Sequence, residues 1–136
     1  MKTTFKKLQE IDSVVAGLYT KNPTLKEGKF GYAYKRFYEK NYEKVLEEYR
    51  AELADIRIDN ALEDEKTKAI LKDLDSRGRG FQYSKESLKA VLKAERGLDE
   101  KWNAKEIEVE PFFIKPENLP ELTENQVELL KGTIIE

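Results

Sequence analysis

The sequence predicts an α+β protein, mainly α: an antiparallel helical hairpin with a long central helix, a small β-hairpin or sheet, and a short C-terminal helix. Three observations carry this. Phe30, Tyr34, Phe37, Tyr38, Tyr42, Val45, Tyr49, Leu53 and Ile56 recur at steps of three or four, the spacing of one helical stripe, and no Gly or Pro interrupts the run after Gly31. Glu106 to Ile114 (EIEVEPFFI) alternates with period two instead. Thr123-x-x-Gln126, preceded by Leu122 and followed by Val127, reads as a capping box with a hydrophobic staple.

Thr3 or Thr4 caps a first helix to about Tyr19, with Phe5, Leu8, Ile11, Val15 and Leu18 as its stripe. Pro23 ends it, because the residue before a proline is driven out of the α region. A short connection, Leu25 to Gly28, leads into the long helix from Lys29 to Arg57, so the two helices are expected to lie antiparallel. Thr67 to Leu71 and Gly80 to Tyr83 flank a stretch of turn formers and suggest a β-hairpin. Ser84 caps a further helix with Leu88, Val91, Leu92, Leu98 and Trp102 on its apolar face, and Gly97 is expected to bend or shorten it. In Glu106 to Ile114, Ile107, Val109 and Phe113 share one face and three glutamates the other, and Pro111 places the strand at an edge or a bulge. Gly132 suits a helix C-cap, and Thr133 to Ile135 a short terminal strand.

The 136 residues fit a single domain, 1–136, with no internal repeat. The chain has no cysteine and no histidine, which removes thiolate chemistry, Ser-His-Asp and Cys-His catalysis, and the commonest zinc ligand. No stretch approaches the length of a membrane span, and Gln9, Glu10 and Asp12 interrupt what would be a signal-peptide core, so a cytoplasmic setting is expected. No cofactor or metal is expected, nor any catalytic residue.

Charge alternates in blocks. Residues 1–44 carry ten basic and five acidic side chains, 45–65 two and eight, 66–105 eleven and six, and 106–136 two and eight. That pattern suits pairing between segments, or opposed basic and acidic faces. Glu48, Glu52, Asp55 and Asp59 follow helical spacing and could form an acidic ridge, most simply a solvated one. Asp64-Glu65-Lys66 has the look of half a nuclease motif, but its stretch reads as loop. From Lys26 to Lys44, cations interleave with aromatics, a mixture that can hold phosphates and stack bases. The rings fall on the core stripe, leaving Lys29, Lys35, Arg36 and Lys40 as candidate partner contacts. Arg77 and Arg79, at the expected hairpin tip, are candidates for contact with an acidic partner.

Gly28-Lys29-Phe30-Gly31-Tyr32-Ala33, the strand EIEVEPFFI and Leu119-Pro120-Glu121-Leu122-Thr123-x-x-Gln126 occur in that order. In this succession the chain, from about Leu8 onward, resembles a family of short, functionally undescribed proteins of tailed bacteriophages and their prophages. The resemblance implies a phage gene product in the cytoplasm of a bacterial host, or in the virion, and brings no catalytic residue. The expected function is then non-enzymatic: binding to a phage or host protein in assembly or in modulation of a host system. The alternatives are a self-associating virion component, such as a connector or tail-associated subunit, and a nucleic-acid-binding protein using the basic aromatic helix.

Overall fold

The computed structural model describes residues 1–73 and 79–136. It is mainly helical with small antiparallel sheets, the α+β class expected. Its contacts divide the chain into two compact units, Met1–Leu46 with Asn103–Glu136, and Glu47–Trp102.

In the first unit, Lys2–Thr4 forms strand β1 and Phe5–Lys21 helix α1. Thr4 is extended, and its hydroxyl accepts the Lys7 N–H at 3.1 Å, which starts the helix at an otherwise orphaned donor. The predicted stripe of Phe5, Leu8, Ile11, Val15 and Leu18 is buried along its whole length, each side chain contributing roughly 1.5–3 kcal/mol. Pro23–Glu27 is a 3₁₀ turn, and helix α2, Lys29–Asn41, follows from Gly28. Helix α1 and α2 run antiparallel: Tyr19 meets Phe30, Asp12 meets Tyr34 and Phe5 meets Tyr42.

Gly31 is where this turn and α2 come together. A Cβ there would collide with the Lys26 carbonyl oxygen, so only glycine allows the backbones to approach.

The long helical stripe is divided rather than continuous. Helix α2 ends at Asn41, and helix α3 runs Glu43–Asn60. Tyr42 keeps helical hydrogen bonds on both sides, its N–H to Tyr38 and its carbonyl from Leu46. The break sits beside Asn41, whose carboxamide is drawn sideways to the backbone of Glu110.

The stretch from Lys105 to Ile114 ties the first unit together. The Lys105 carbonyl accepts the Phe5 N–H, β4 (Glu106–Glu108) pairs antiparallel with β1, and Val109 donates to Met1. Phe112 and Ile114 then donate to Thr133 and Ile134. The sequence pattern contains the strand but not its partner β1, a three-residue segment without alternation. The alternation slips at Glu110-Pro111: Ile107, Val109 and Ile114 are buried, while Phe113 faces outward, contrary to the face expected for it. Two successive outward residues shift the phase, as a bulge does.

Helix α5, Glu124–Leu130, opens with the full predicted capping box. Gly132 takes φ +86 just beyond its end, and the Leu130 carbonyl gathers the N–H groups of Thr133, Ile134 and Ile135.

In the second unit, β2 (Lys72–Asp73) and β3 (Gly80–Phe81) pair antiparallel with Lys72 opposite Phe81. The hairpin lies later in the chain than predicted on its first side. Residues 64–69 instead form a turn in which the Asp64 carboxylate accepts the Lys66 and Thr67 N–H groups, both at 2.9 Å. Backbone hydrogen bonds there are an Asx turn's competitor to a strand ladder. Leu62 joins the pair from outside, donating to Gln82 and accepting from Leu71.

Helix α4, Lys85–Asn103, starts with Ser84 accepting the Ser87 N–H and continues past Gly97 without ending there. Its buried stripe is Val91, Leu98 and Trp102. Leu88 and Leu92, predicted on that face, are exposed: Leu92 lies to the side of the stripe and Leu88 in the first turn. The inward position between Val91 and Leu98 is taken by Glu95, whose side chain is only 14% exposed.

A basic and aromatic groove as candidate functional site

Helix α2 presents two faces. Phe30, Tyr34 and Phe37 turn into the first unit, and Lys29, Lys35, Arg36 and Lys40 turn outward. The outward face and the segment 112–118 are the two walls of an open groove of ≈ 770 Å³. Lys29, Tyr32, Ala33 and Arg36 line one side, and Phe112, Phe113 and Lys115 the other.

The far wall is held in place by α2 itself. Asn41 clasps the Glu110 backbone, and Lys40 meets the Glu110 carboxylate at 2.6 Å. The Arg36 guanidinium lies over the Phe112 ring at 5.7 Å, a cation–π contact. On the other side, Phe112 and Ile114 are bonded to Thr133 and Ile134. A short strap is therefore fixed from both flanks, and it leaves Phe113 outside.

The charges of this face differ in how far they are satisfied. Lys40 is paired with Glu110, and Lys35 lies 3.8 Å from Glu39. Among the described residues, Lys29, Arg36 and Lys115 have no carboxylate within salt-bridge distance. Two aromatic side chains stand among them in water, Tyr32 at 66% exposure and Phe113 at 46%. An aromatic ring so exposed gains little in the isolated chain and is the usual anchor of a binding surface.

The structure thus brings Lys29, Lys35 and Arg36 to one groove and gives Lys40 to its wall. Arg79, expected at an exposed tip, is instead turned inward in the second unit. Its Nε and Nη2 donate to the two Glu95 oxygens at 3.1 and 2.9 Å, and Arg57 Nε donates to the same carboxylate at 3.0 Å. The acidic partner foreseen for Arg79 lies within the chain. The two guanidinium groups outweigh burial and hold the Glu95 carboxyl below its ordinary range. Arg77 lies outside the described residues.

Sequence reasoning missed Tyr32, Phe113 and Lys115 as site residues. Tyr32 had a visible signal, since it is an aromatic residue of α2 off the apolar stripe. Phe113 had none, because the slip at Pro111 that turns it outward depends on the partners of the strap.

No family model matches the chain, and no curated protein or solved structure matches it.

The remaining candidates have other occupations. In the acidic ridge, Glu52 accepts the Trp102 indole N–H at 2.6 Å, while Glu48, Asp55 and Asp59 face water. Among the described residues, no group of three or more acidic side chains is placed to hold a metal ion. On the other face of α2, Tyr34 donates to Asp12 at 2.6 Å, and burial followed by that carboxylate pushes the phenol pKa upward. No helix among the described residues is long and apolar enough to cross a membrane.

Proposed function

We propose that this chain is a non-enzymatic protein of a tailed bacteriophage or prophage, acting in the host cytoplasm by binding another protein, in assembly or in modulation of a host system. The phage setting rests on the resemblance of Gly28–Ala33, the strand at 106–114 and Leu119–Gln126. The mode of action rests on one observation: Tyr32 and Phe113 stand exposed among the cations Lys29, Arg36 and Lys115, which meet no carboxylate among the described residues. The lack of histidine and cysteine in the chain supports a role without catalysis. The test is affinity capture from phage-infected bacteria with the whole chain and with Tyr32→Ala/Phe113→Ala. The expected result is a stoichiometric protein partner that the double variant loses. Capture of no protein by either form would sink the reading.

A second reading, a virion component, draws on Leu88 and Leu92, an exposed i,i+4 pair on α4. It requires self-association that rises with concentration in sedimentation, and presence of the chain in purified particles by mass spectrometry.

A further inference from the structure

We propose that the groove between α2 and the segment 112–118 receives a short acidic segment of a protein partner, with two carboxylates about 10 Å apart and an apolar or aromatic side chain between them. This rests on the reading of the chain as an interaction protein and specifies the chemistry of what it binds.

The spacing follows from the groove. Lys29 and Arg36 are seven residues apart on one helix, a rise of about 10.5 Å. A carboxylate against each, in a partner advancing about 3.3 Å per residue, places the two acids three residues apart. Lys115 faces them from the opposite wall, where it can take a third anionic group or the partner's own terminus. Between the two cations of α2 lie Tyr32 and the small side chain of Ala33, and across from them Phe113. An apolar residue of the partner placed there covers the two most exposed rings of the groove. Arg36 is fitted for a carboxylate in particular: its guanidinium is held over the Phe112 ring at 5.7 Å, and a forked donor can meet a carboxylate with two parallel hydrogen bonds.

Charge decides between a peptide and a nucleic acid. A bound single strand brings a phosphate with every nucleotide and needs a continuous basic track. Here three cations that meet no carboxylate among the described residues are bounded by Glu39 within the groove and by Glu110 on Lys40, and the whole chain carries a net charge of −2. A few separated carboxylates match that field, whereas a run of phosphates meets repulsion at its ends.

Selection from a random dodecapeptide library on the whole chain tests the assignment, followed by titration of a selected peptide, its Glu→Gln and Asp→Asn version, and a dodecathymidylate. Selected sequences should be rich in Asp and Glu three or four residues apart around an aromatic or aliphatic residue. The peptide should move the amide resonances of residues 29–36 and 112–115. Lys29→Glu/Arg36→Glu should weaken binding by about tenfold or more, since attractive contacts become like-charge contacts. Lys115→Glu and Phe113→Ala, on the other wall, should weaken it independently, with the circular dichroism of every variant unchanged. Selection without acidic enrichment, equal binding of the neutralised peptide, binding insensitive to both walls, or tighter binding of the dodecathymidylate would each overturn the proposal. Partner capture from infected cells separates the two levels. A partner held equally by wild type and by Lys29→Glu/Arg36→Glu removes the groove and leaves the interaction reading; no partner at all removes both.

Discussion

Asn41 and Glu110 are joined as two strands would be. The Asn41 Oδ1 accepts the Glu110 N–H at 2.8 Å, and Nδ2 donates to the Glu110 carbonyl at 2.8 Å. A single side chain thereby supplies the ladder partner that the strap lacks between β1 and the C-terminal residues, and it does so at the end of α2.

Asn41→Ala should therefore cost about 2–4 kcal/mol, because it removes two hydrogen bonds and leaves a part-buried amide and carbonyl unmet. Urea unfolding followed by circular dichroism measures this. Asn41→Asp should be nearly as damaging, since a carboxylate keeps the acceptor but faces the Glu110 carbonyl with a second oxygen. A loss under about 0.5 kcal/mol for Ala would mean water replaces the pair.

Two kinds of glycine should respond in opposite ways. Gly31→Ala forces a Cβ against the Lys26 backbone and should destabilise by about 1–3 kcal/mol or more. Gly97→Ala meets nothing within 4 Å in the middle of α4 and should stabilise by about 0.5–1 kcal/mol. Thermal or urea midpoints of the two variants settle the signs.

Glu95 holds Arg57 and Arg79 together, with side chains exposed to 14%, 26% and 15% respectively. Glu95→Gln should lower stability by about 1.5–3 kcal/mol, the range for hydrogen bonds to charged groups. Acid should act in the same direction. The folded-state pKa of Glu95 is depressed below its ordinary 4.5, so its contribution is present above that value and disappears as pH falls through the folded pKa. Unfolding midpoints taken between pH 6 and pH 3 should drop less steeply for Glu95→Gln than for the wild type.

Alkaline pH should destabilise the chain through two tyrosines. Burial and the Asp99 carboxylate push Tyr49 up to about 12, and burial and Asp12 raise Tyr34 further. Both folded pKa values exceed the ordinary 10, so the fold holds its full stability below pH 10 and loses it as pH rises through the folded values. Phenolate absorbance at 295 nm should show late-ionising tyrosines that disappear one at a time in Tyr34→Phe and Tyr49→Phe. Seven tyrosines titrating together near pH 10 in the native protein would contradict this.

What could be read from the sequence was whatever depends on neighbours three or four residues away. The stripe of α1, the Thr4 and Ser84 caps, the Thr123 capping box and the Gly132 C-cap are all local, and each stands where its pattern lies. What escaped depends on distant partners. The division of the long helix falls beside Asn41, whose partner Glu110 is 69 residues away. The inward turn of Arg79 needs Glu95, and Glu95 itself looked like any surface carboxylate. Strand β1 has no pattern of its own and exists because β4 offers an edge. In the groove, the cations of α2 were visible and the opposite wall was not, since Phe113 faces outward only through a slip in the strand.

The Lys105–Ile114 strap, bonded in turn to Met1–Thr4, Asn41 and Thr133–Ile134, has a consequence for how the chain reaches its fold. The segment Glu47–Trp102 is continuous, and its internal contacts are available once Trp102 has left the ribosome. The other unit joins Met1–Leu46 to Asn103–Glu136 and cannot close until both segments are synthesised. Until then Phe5, Leu8, Ile11 and Val15 have been translated without the strap and α5 that complete their cover. Contacts of such sequence separation close slowly, and they prolong the exposure of apolar surface during synthesis. Until residues 105–134 are made, the nascent chain thus carries an amphipathic helix with only part of its cover, a demand on the chaperones of the cell that makes it.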